Sequence, residues 1–583
     1  MKLSSYLTGV FFLLTIFLML PNFAAAYTVR VITINPDVHI PGGSYASPFI
    51  ITTGNTKYIL DADIFADSSG IMLNGNLSNI IIDLNGHTIT YNQVSPGVGI
   101  GSLDWSTSDV AIINGSIVQG FAMSDGVVYG TGSNPIRFYA GTPQSYNVFR
   151  VQIAGVSVRY GSKDVGGIIL GADGHLIEDN IIEDTYEYGI VTDRHVGIPA
   201  IRTVGQDSII KNNTLTNVRQ RGIDLGQDSE AFGNNVSIRS ICTNSVGIST
   251  DSHGVKIYDN IINGRGEHPI GIGAHNSTLN ASYDNEIYNN TIDVQTTRIG
   301  LEYFGAYPSD ALTAVHIADR AVGIRSTSGA YNLKVHDNVI SAASDSDFMG
   351  TYSPDGRAIR ISGGARGVMA GVRYNEQSAR FYNNTITVLD KDGTGYAAGF
   401  ACDANIDNNN EPAPNFRPPA VDFAPSFIVE NNVITSNVYN FIFGDDYQSC
   451  NGDALFIGNT LIKSNSYASY ATYGVGLGGY YGNKVRVIGS VYQSGAAENS
   501  LDFYWSNVTN LIEGVGGSYR GKSITFGDLQ LDNHLYYRYK LHNVEGTTGS
   551  ATPINSTLNA IGPLFYFQAD VVAPSAPVGL EIL

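Results

Sequence analysis

One short phrase recurs nine times along this chain: an Asn, usually preceded by Asn or Asp, opening an apolar-polar-apolar strand. It reads EDNIIED at Asn180, KNNTLTN at Asn213, GNNVSIR at Asn235 and YDNIING at Asn260. It continues as YNNTIDV at Asn290, HDNVISA at Asn338, YNNTITV at Asn384, ENNVITS at Asn432 and IGNTLIK at Asn459. Successive asparagines are 33, 22, 25, 30, 48, 46, 48 and 27 residues apart. Repetition at such periods specifies a stacked architecture. The shortest spacings fit one coil of a three-stranded solenoid; the longer ones fit one coil with inserted loops, or two coils. Earlier forms, LNGHTIT near Asn85 and INGSIVQ near Asn114, start the repeat close to the N-terminus, and His87 in the first reads as part of a coil-and-turn signature.

The physics of stacking follows from strand length. Strands this short are unstable alone, but stacked coils pair every backbone edge with neighbours ~4.8 Å above and below. Alternation sends Ile and Val inward and polar residues outward. Asn tolerates left-handed backbone, and its amide can bond to the next Asn of a stack. The expected ladder runs through Asn180, Asn213, Asn235 and Asn260. Most of the sequons this creates, such as Asn212-Asn213-Thr214 and Asn383-Asn384-Thr385, are read as products of the ladder rather than as glycan acceptors.

Composition excludes several function classes. The 66 glycines and the abundance of Asn, Ile, Val, Thr and Tyr describe strands punctuated by turns. A net charge of −19 leaves no electrostatic footprint for nucleic acid and little attraction to anionic membranes. At the N-terminus, Lys2, the apolar run Leu7 to Leu20, Pro21 and Ala24-Ala25-Ala26 have the form of a signal peptide cleaved near Ala26. The expectation is a secreted or cell-surface protein with no membrane span in the mature chain.

A second phrase, Gly-Ile-x-apolar, precedes the Asn. Its Gly stands at Gly167, Gly189, Gly222, Gly247, Gly271 and Gly323. Aligning these strands stacks outward residues into columns, if the Ile after each Gly points in. The column two residues past the Gly holds Ile169, Val191, Asp224, Ser249, Gly273 and Arg325. Further columns hold Asp193, Asp251 and His275, then His195, Asp228 and His253. One outer face thus collects a dense group of acids and imidazoles. Glycosidic cleavage needs paired carboxylates, and adjacent or alternate coils would set them roughly 5 or 10 Å apart.

The Asn phrase with its preceding Gly-Ile strand resembles the parallel β-helix (PbH1-type) repeats of the pectate-lyase-like superfamily, over most of residues 70 to 530. The resemblance implies an all-β, right-handed parallel β-helix with long inserted loops. The expected organisation is a signal peptide at 1–26, an N-terminal cap at 27–70, the β-helix at 71–545 and a C-terminal strand or tail at 546–583. The segment Thr250-Asp251-Ser252-His253-Gly254 is similar to the Gly-His-Gly segment of polygalacturonase-type hydrolases, with Ser252 for the first Gly. RGIDLGQD, residues 221 to 228, is similar to their aspartate-bearing strand, with Gln227-Asp228 where they carry an acidic pair. Their Arg-Ile-Lys segment is absent in place.

These readings lead to an extracellular polysaccharide as the partner. Asp193, Asp224 and Asp251 are the acid/base candidates, with His195 and His253 assisting. Asp228, His275, Arg325 and Arg360 are the substrate-binding candidates, since arginine forks suit carboxylates or sulfates. Two other classes stay open. One is a non-enzymatic surface or adhesion solenoid. The other is a lyase or epimerase that neutralises a uronate with Arg or Ca²⁺. No other cofactor is implied, and a monomer is expected. Of the three cysteines, Cys402 and Cys450 each lie 18 residues past a turn Asn, which predicts a disulfide between them and a free Cys242.

Overall fold

Strands this short hold together only by pairing, and among the described residues each coil pairs with the next. The computed structural model describes residues 37–103, 107–120, 134–138, 149–161, 166–184, 200–240 (apart from 204 and 220) and 245–274 (apart from 267). It further describes 284–296, 320–326, 332–344, 364–370, 379–391, 397–402, 425–443 and 453–464, then short strands to 582. Each coil has three strands, called a, b and c below: a precedes the ladder Asn, b follows it, and c carries the Gly-Ile phrase. The b strand Thr291–Thr296 pairs in parallel with Ile261–Gly266 on one side and Val339–Ser344 on the other. The c strand Arg320–Ser326 lies in parallel between Pro269–Ala274 and Gly364–Ala370. The chain is a right-handed parallel β-helix.

Parallel pairing begins with Asp37–Ile40 against Thr56–Leu60, so part of the segment expected to be a cap already forms coils. It extends to Asp502–Ser506 against Tyr537–Val544, after which the described pairings are antiparallel. The 48-residue spacings are single coils. Thr291 pairs directly with Val339, and the extra residues fall between strands b and c and between c and the next a.

Inward columns from all three strands build the core, the a strands giving Ile177, Ile210, Ala231, Ile257, Ile287, Val335, Phe381 and Val429. Ile182, Leu215, Val236, Ile262, Ile292, Ile340, Ile386 and Ile434 come from the b strands, and Ile168, Ile201, Ile223, Ile248, Ile272 and Ile324 from the c strands, all buried. Each such side chain contributes ~1.5–3 kcal/mol on leaving water. The Gly of the Gly-Ile phrase is a matter of room. A Cβ on Gly271 would stand 2.4 Å from Ile292 Cγ2 and 2.5 Å from the carbonyl oxygen of Gly323 on the next coil.

The asparagine ladder runs Asn180, Asn213, Asn234, Asn260, Asn290, Asn338, Asn384, Asn432, Asn459, each Nδ2 donating to the next Oδ1 at 2.9–3.0 Å. Asn235 is therefore not a rung. It opens the next b strand, exposed and paired with Thr214, and the spacings around Asn234 are 21 and 26 residues. The residue before each rung is left-handed, with φ of 54–57° at Asp179, Asn212, Asp259, Asn289, Asp337, Asn383 and Asn431. Gly233 and Gly458 complete this column at 64° and 60°. The preference for Asn or Asp before the ladder residue follows from that conformation.

At the ends of the a strands, on their outer side, Phe232, Tyr258, Tyr288, His336 and Tyr382 stack ring on ring, with centroids 4.5–5.1 Å apart. Their planes face along the helix axis, so the stack ties coils together and presents ring edges rather than faces outward.

The cysteine expectation loses its register. Cys402 pairs across the c strands with Phe443, which lies 11 residues past Asn432 (443 − 432), not 18. Cys242 and Cys450 themselves lie outside the described residues, as do the N-terminal 36 residues.

His175 sits 1% exposed at a c-to-a turn. Its Nδ1 accepts the Val151 N–H at 3.2 Å, so Nε2 carries the proton directed at the Gly171 and Ala172 carbonyls, 2.9 and 3.0 Å away. Burial lowers its pKa to about 4, against the pull of those carbonyls and of Asp173. The unfolded chain takes up this proton near pH 6.5 and the folded chain only near 4. Stability present above pH 6.5 should therefore fall as pH drops toward 4, by about 3 kcal/mol in total. Denaturant unfolding of parent and His175→Gln at pH 7 and 4.5 checks this: the parent should lose more stability between the two pH values than the variant.

Candidate functional site

The c strands set their outward residues in register. One column runs Arg137, Ile169, Arg202, Asp224, Ser249, Gly273, Arg325. The coil expected to supply the Gly189 strand instead pairs through Ile201–Thr203, so Arg202 stands where Val191 was expected. Asp193, His195, His275 and Arg360 lie outside the described residues.

Around Asp224 the column becomes a charge cluster. Its Oδ2 faces Arg221 Nη1 at 3.5 Å, three residues back, and Arg202 Nε at 3.6 Å from the preceding coil. The buried Arg202 Nε makes no hydrogen bond. On the following coil, Ser249 Oγ donates to Asp224 Oδ1 at 2.9 Å. Asp224 is 9% exposed, so it lies beneath its partners rather than in the open groove its outward register suggested. Asp251, two residues past Ser249, is half-buried. Its pKa is raised, first by burial and next by the charge of Asp224, with Arg221 and Arg202 opposing. A carboxyl held toward its protonated form beside an ion-paired carboxylate has the composition of an acid–base pair.

Asp228 and His253 belong to the turn beyond the strands. Asp228 is exposed and left-handed at φ 50°, its N–H donates to the His253 carbonyl at 2.9 Å, and its carboxylate accepts from Gln227 Nε2. They therefore border the cluster and do not join Asp224 in one register. Arg325 does share the outward column, three coils from Asp224 along the ladder, and is 5% exposed. Arg366, on the next coil, is 3% exposed and donates to the Ala365 carbonyl. Val246, Ile270, Val322 and Met369, the last two on the strands of Arg325 and Arg366, form a second buried apolar cluster apart from the core.

The sequence reading missed the roles of Arg202 and Arg221. A signal for Arg202 was present. Ala200 lies 13 residues before Asn213, as Gly167 does before Asn180, so Ala200-Ile201 is the Gly-Ile phrase with Ala substituted. Among the described residues no group of three or more His, Cys, Asp or Glu could hold a metal ion. Nor, among them, is any helix long and apolar enough to cross a membrane.

No protein-family model matches the chain, and no curated protein does. Among solved structures it is similar to the Dettilon tailspike protein, with 13% identity and a TM-score of 0.37. That match covers 65% of this chain and 62% of the other, so the chain spans less than two-thirds of the tailspike's length. It is also similar to the A-module of the Azotobacter vinelandii mannuronan C-5 epimerase AlgE6, with 13% identity, a TM-score of 0.30 and coverage of 77% and 90%. The Pseudomonas phage phi297 tailspike gives 12% identity, a TM-score of 0.27 and coverage of 87% and 75%.

Proposed function

We propose that this chain is an extracellular β-helix protein that binds a polysaccharide along the outer face of its c strands and cleaves it at the Asp224–Asp251 cluster. One observation carries the reading: two carboxylates on adjacent coils of one face stand in different environments. Asp224 is gripped by two guanidinium groups and a hydroxyl, while Asp251 is pushed toward its protonated form. In glycoside hydrolysis the protonated carboxyl gives its proton to the leaving glycosidic oxygen, and the ionised one assists the incoming water or bonds to the sugar. Asp251 takes the first role and Asp224 the second. Arg202 and Arg221 hold the Asp224 carboxylate in place.

Incubation of the protein with a panel of polysaccharides, reading reducing ends and unsaturated-uronate absorbance together, tests this. Reducing ends alone are expected. Both signals together would make the protein a lyase, and neither would leave a binding or adhesion solenoid whose acids are structural. The active limb should also fall as pH rises through the raised pKa of Asp251, because the acid must be protonated to donate. Activity that instead increases steadily with pH would remove Asp251 from that role.

A further inference from the structure

The sequence presents each Asn-Asn-Thr triplet as ladder or sequon, and the structure separates the two. In Asn212-Asn213-Thr214, Asn289-Asn290-Thr291 and Asn383-Asn384-Thr385, the second Asn is the buried rung, at most 1% exposed. The first Asn is the exposed, left-handed turn residue, and it is this Asn that a sequon offers as acceptor. Thr291 and Thr385 are exposed and Thr214 is half-exposed. Among the described residues, none of these six asparagine and threonine side chains enters a hydrogen bond. The carboxamide and the hydroxyl that a glycosylating enzyme must engage are therefore both free, while the ladder is left intact.

From this arrangement we infer that Asn212, Asn289 and Asn383 are N-glycosylation sites on one edge of the helix. A bond forms between Asn Nδ2 and C1 of a sugar. The bond from C1 to the pyrophosphate of a lipid-linked oligosaccharide breaks, the lipid pyrophosphate leaves, and the amide gives up one proton. Asn212 and Asn289 are three coils apart and Asn289 and Asn383 two, about 14 and 10 Å along the axis, which leaves space for separate glycans. The modification requires export, as the N-terminal segment leads one to expect, and is independent of chemistry at Asp224 and Asp251.

The repeat itself supplies variants that spare the fold. Asp occupies the acceptor column at Asp179, Asp259 and Asp337, so Asn212→Asp, Asn289→Asp and Asn383→Asp keep a residue the turn already uses. Val339 and Val433 occupy the column of Thr291 and Thr385, so Thr291→Val and Thr385→Val do the same. Asn431 is an exposed turn residue with Val433 two residues on, so Val433→Thr creates a fourth Asn-Asn-Thr triplet.

The full chain, expressed in a glycosylating secretory host and recovered from lumen or medium, should carry glycans at all three acceptors. Peptide mapping after peptide-N-glycosidase reads each site, because release converts a glycosylated Asn to Asp. Each single variant should lose its own glycan only, and Val433→Thr should gain one at Asn431. Exported chain with unmodified Asn212, Asn289 and Asn383 would overturn the inference. So would a chain that never reaches the lumen.

Discussion

Replacing Asn290 with Ala should cost on the order of 5 kcal/mol, while Asn289→Asp, one residue away, should cost almost nothing. Asn290 Oδ1 accepts from the Asn260 backbone N–H at 3.1 Å and from Asn260 Nδ2 at 3.0 Å. Its Nδ2 is directed at the carbonyls of Ile257 and Tyr288 and at Asn338 Oδ1, at 2.9–3.0 Å. Ala at this position strands polar groups on three coils in an interior that water does not reach. Each stranded buried group costs about 1–3 kcal/mol, far more than the ~1 kcal/mol a hydrogen bond gains net. Asn289 is exposed, and the same turn column accepts Asp at Asp259 and Asp337. Denaturant unfolding of both variants checks the contrast. A shift under 1 kcal/mol for Asn290→Ala would mean the ladder decorates the coils and does not hold them.

The same residues show how much of the fold was legible. Asn-x-apolar is a local signal, because the ladder bond and the left-handed turn both depend on a few consecutive residues. It placed eight of nine rungs. Its one slip, Asn235 for Asn234, came from a doubled Asn in which either residue can be the rung by type, and only the inward Val236 decides. The Gly-Ile strands were less legible, since the residues between strands b and c vary in number and nothing local fixes which apolar pair resumes the coil. Gly189-Ile190 matched the phrase by type, yet Ala200-Ile201 takes the place. That substitution moved Arg202 into the column, and through it the partner of Asp224. Burial was the least legible quantity. An outward register promised solvent to Asp224 and Arg325, but both are buried, Asp224 beneath Arg202, Arg221 and Ser249.

The largest functional effect should come from the two carboxylates. Asn is nearly the shape of Asp but can neither donate a glycosidic proton as an acid nor act as an ionised base. Asp251→Asn removes the proton from the side chain whose burial favours keeping it. Asp224→Asn removes the charge that Arg202 and Arg221 face, and still offers an oxygen to Ser249 Oγ. A positioned acid or base contributes about 10²- to 10⁴-fold. Asp224→Asn also leaves two guanidinium groups without their carboxylate, so its stability must be followed beside its rate. Among the described residues Asp251 makes no such ion pair, and its replacement relieves the burial of a charge.

The most direct measurement is the rate of reducing-end release by parent, Asp224→Asn and Asp251→Asn on the polysaccharide that the panel identifies, with unfolding midpoints taken on the same samples. A loss of at least about 100-fold is expected in each variant, with the Asp251→Asn midpoint unchanged or raised. Parental rates in both variants would instead leave the outer-face carboxylates as structural ion partners with no part in cleavage.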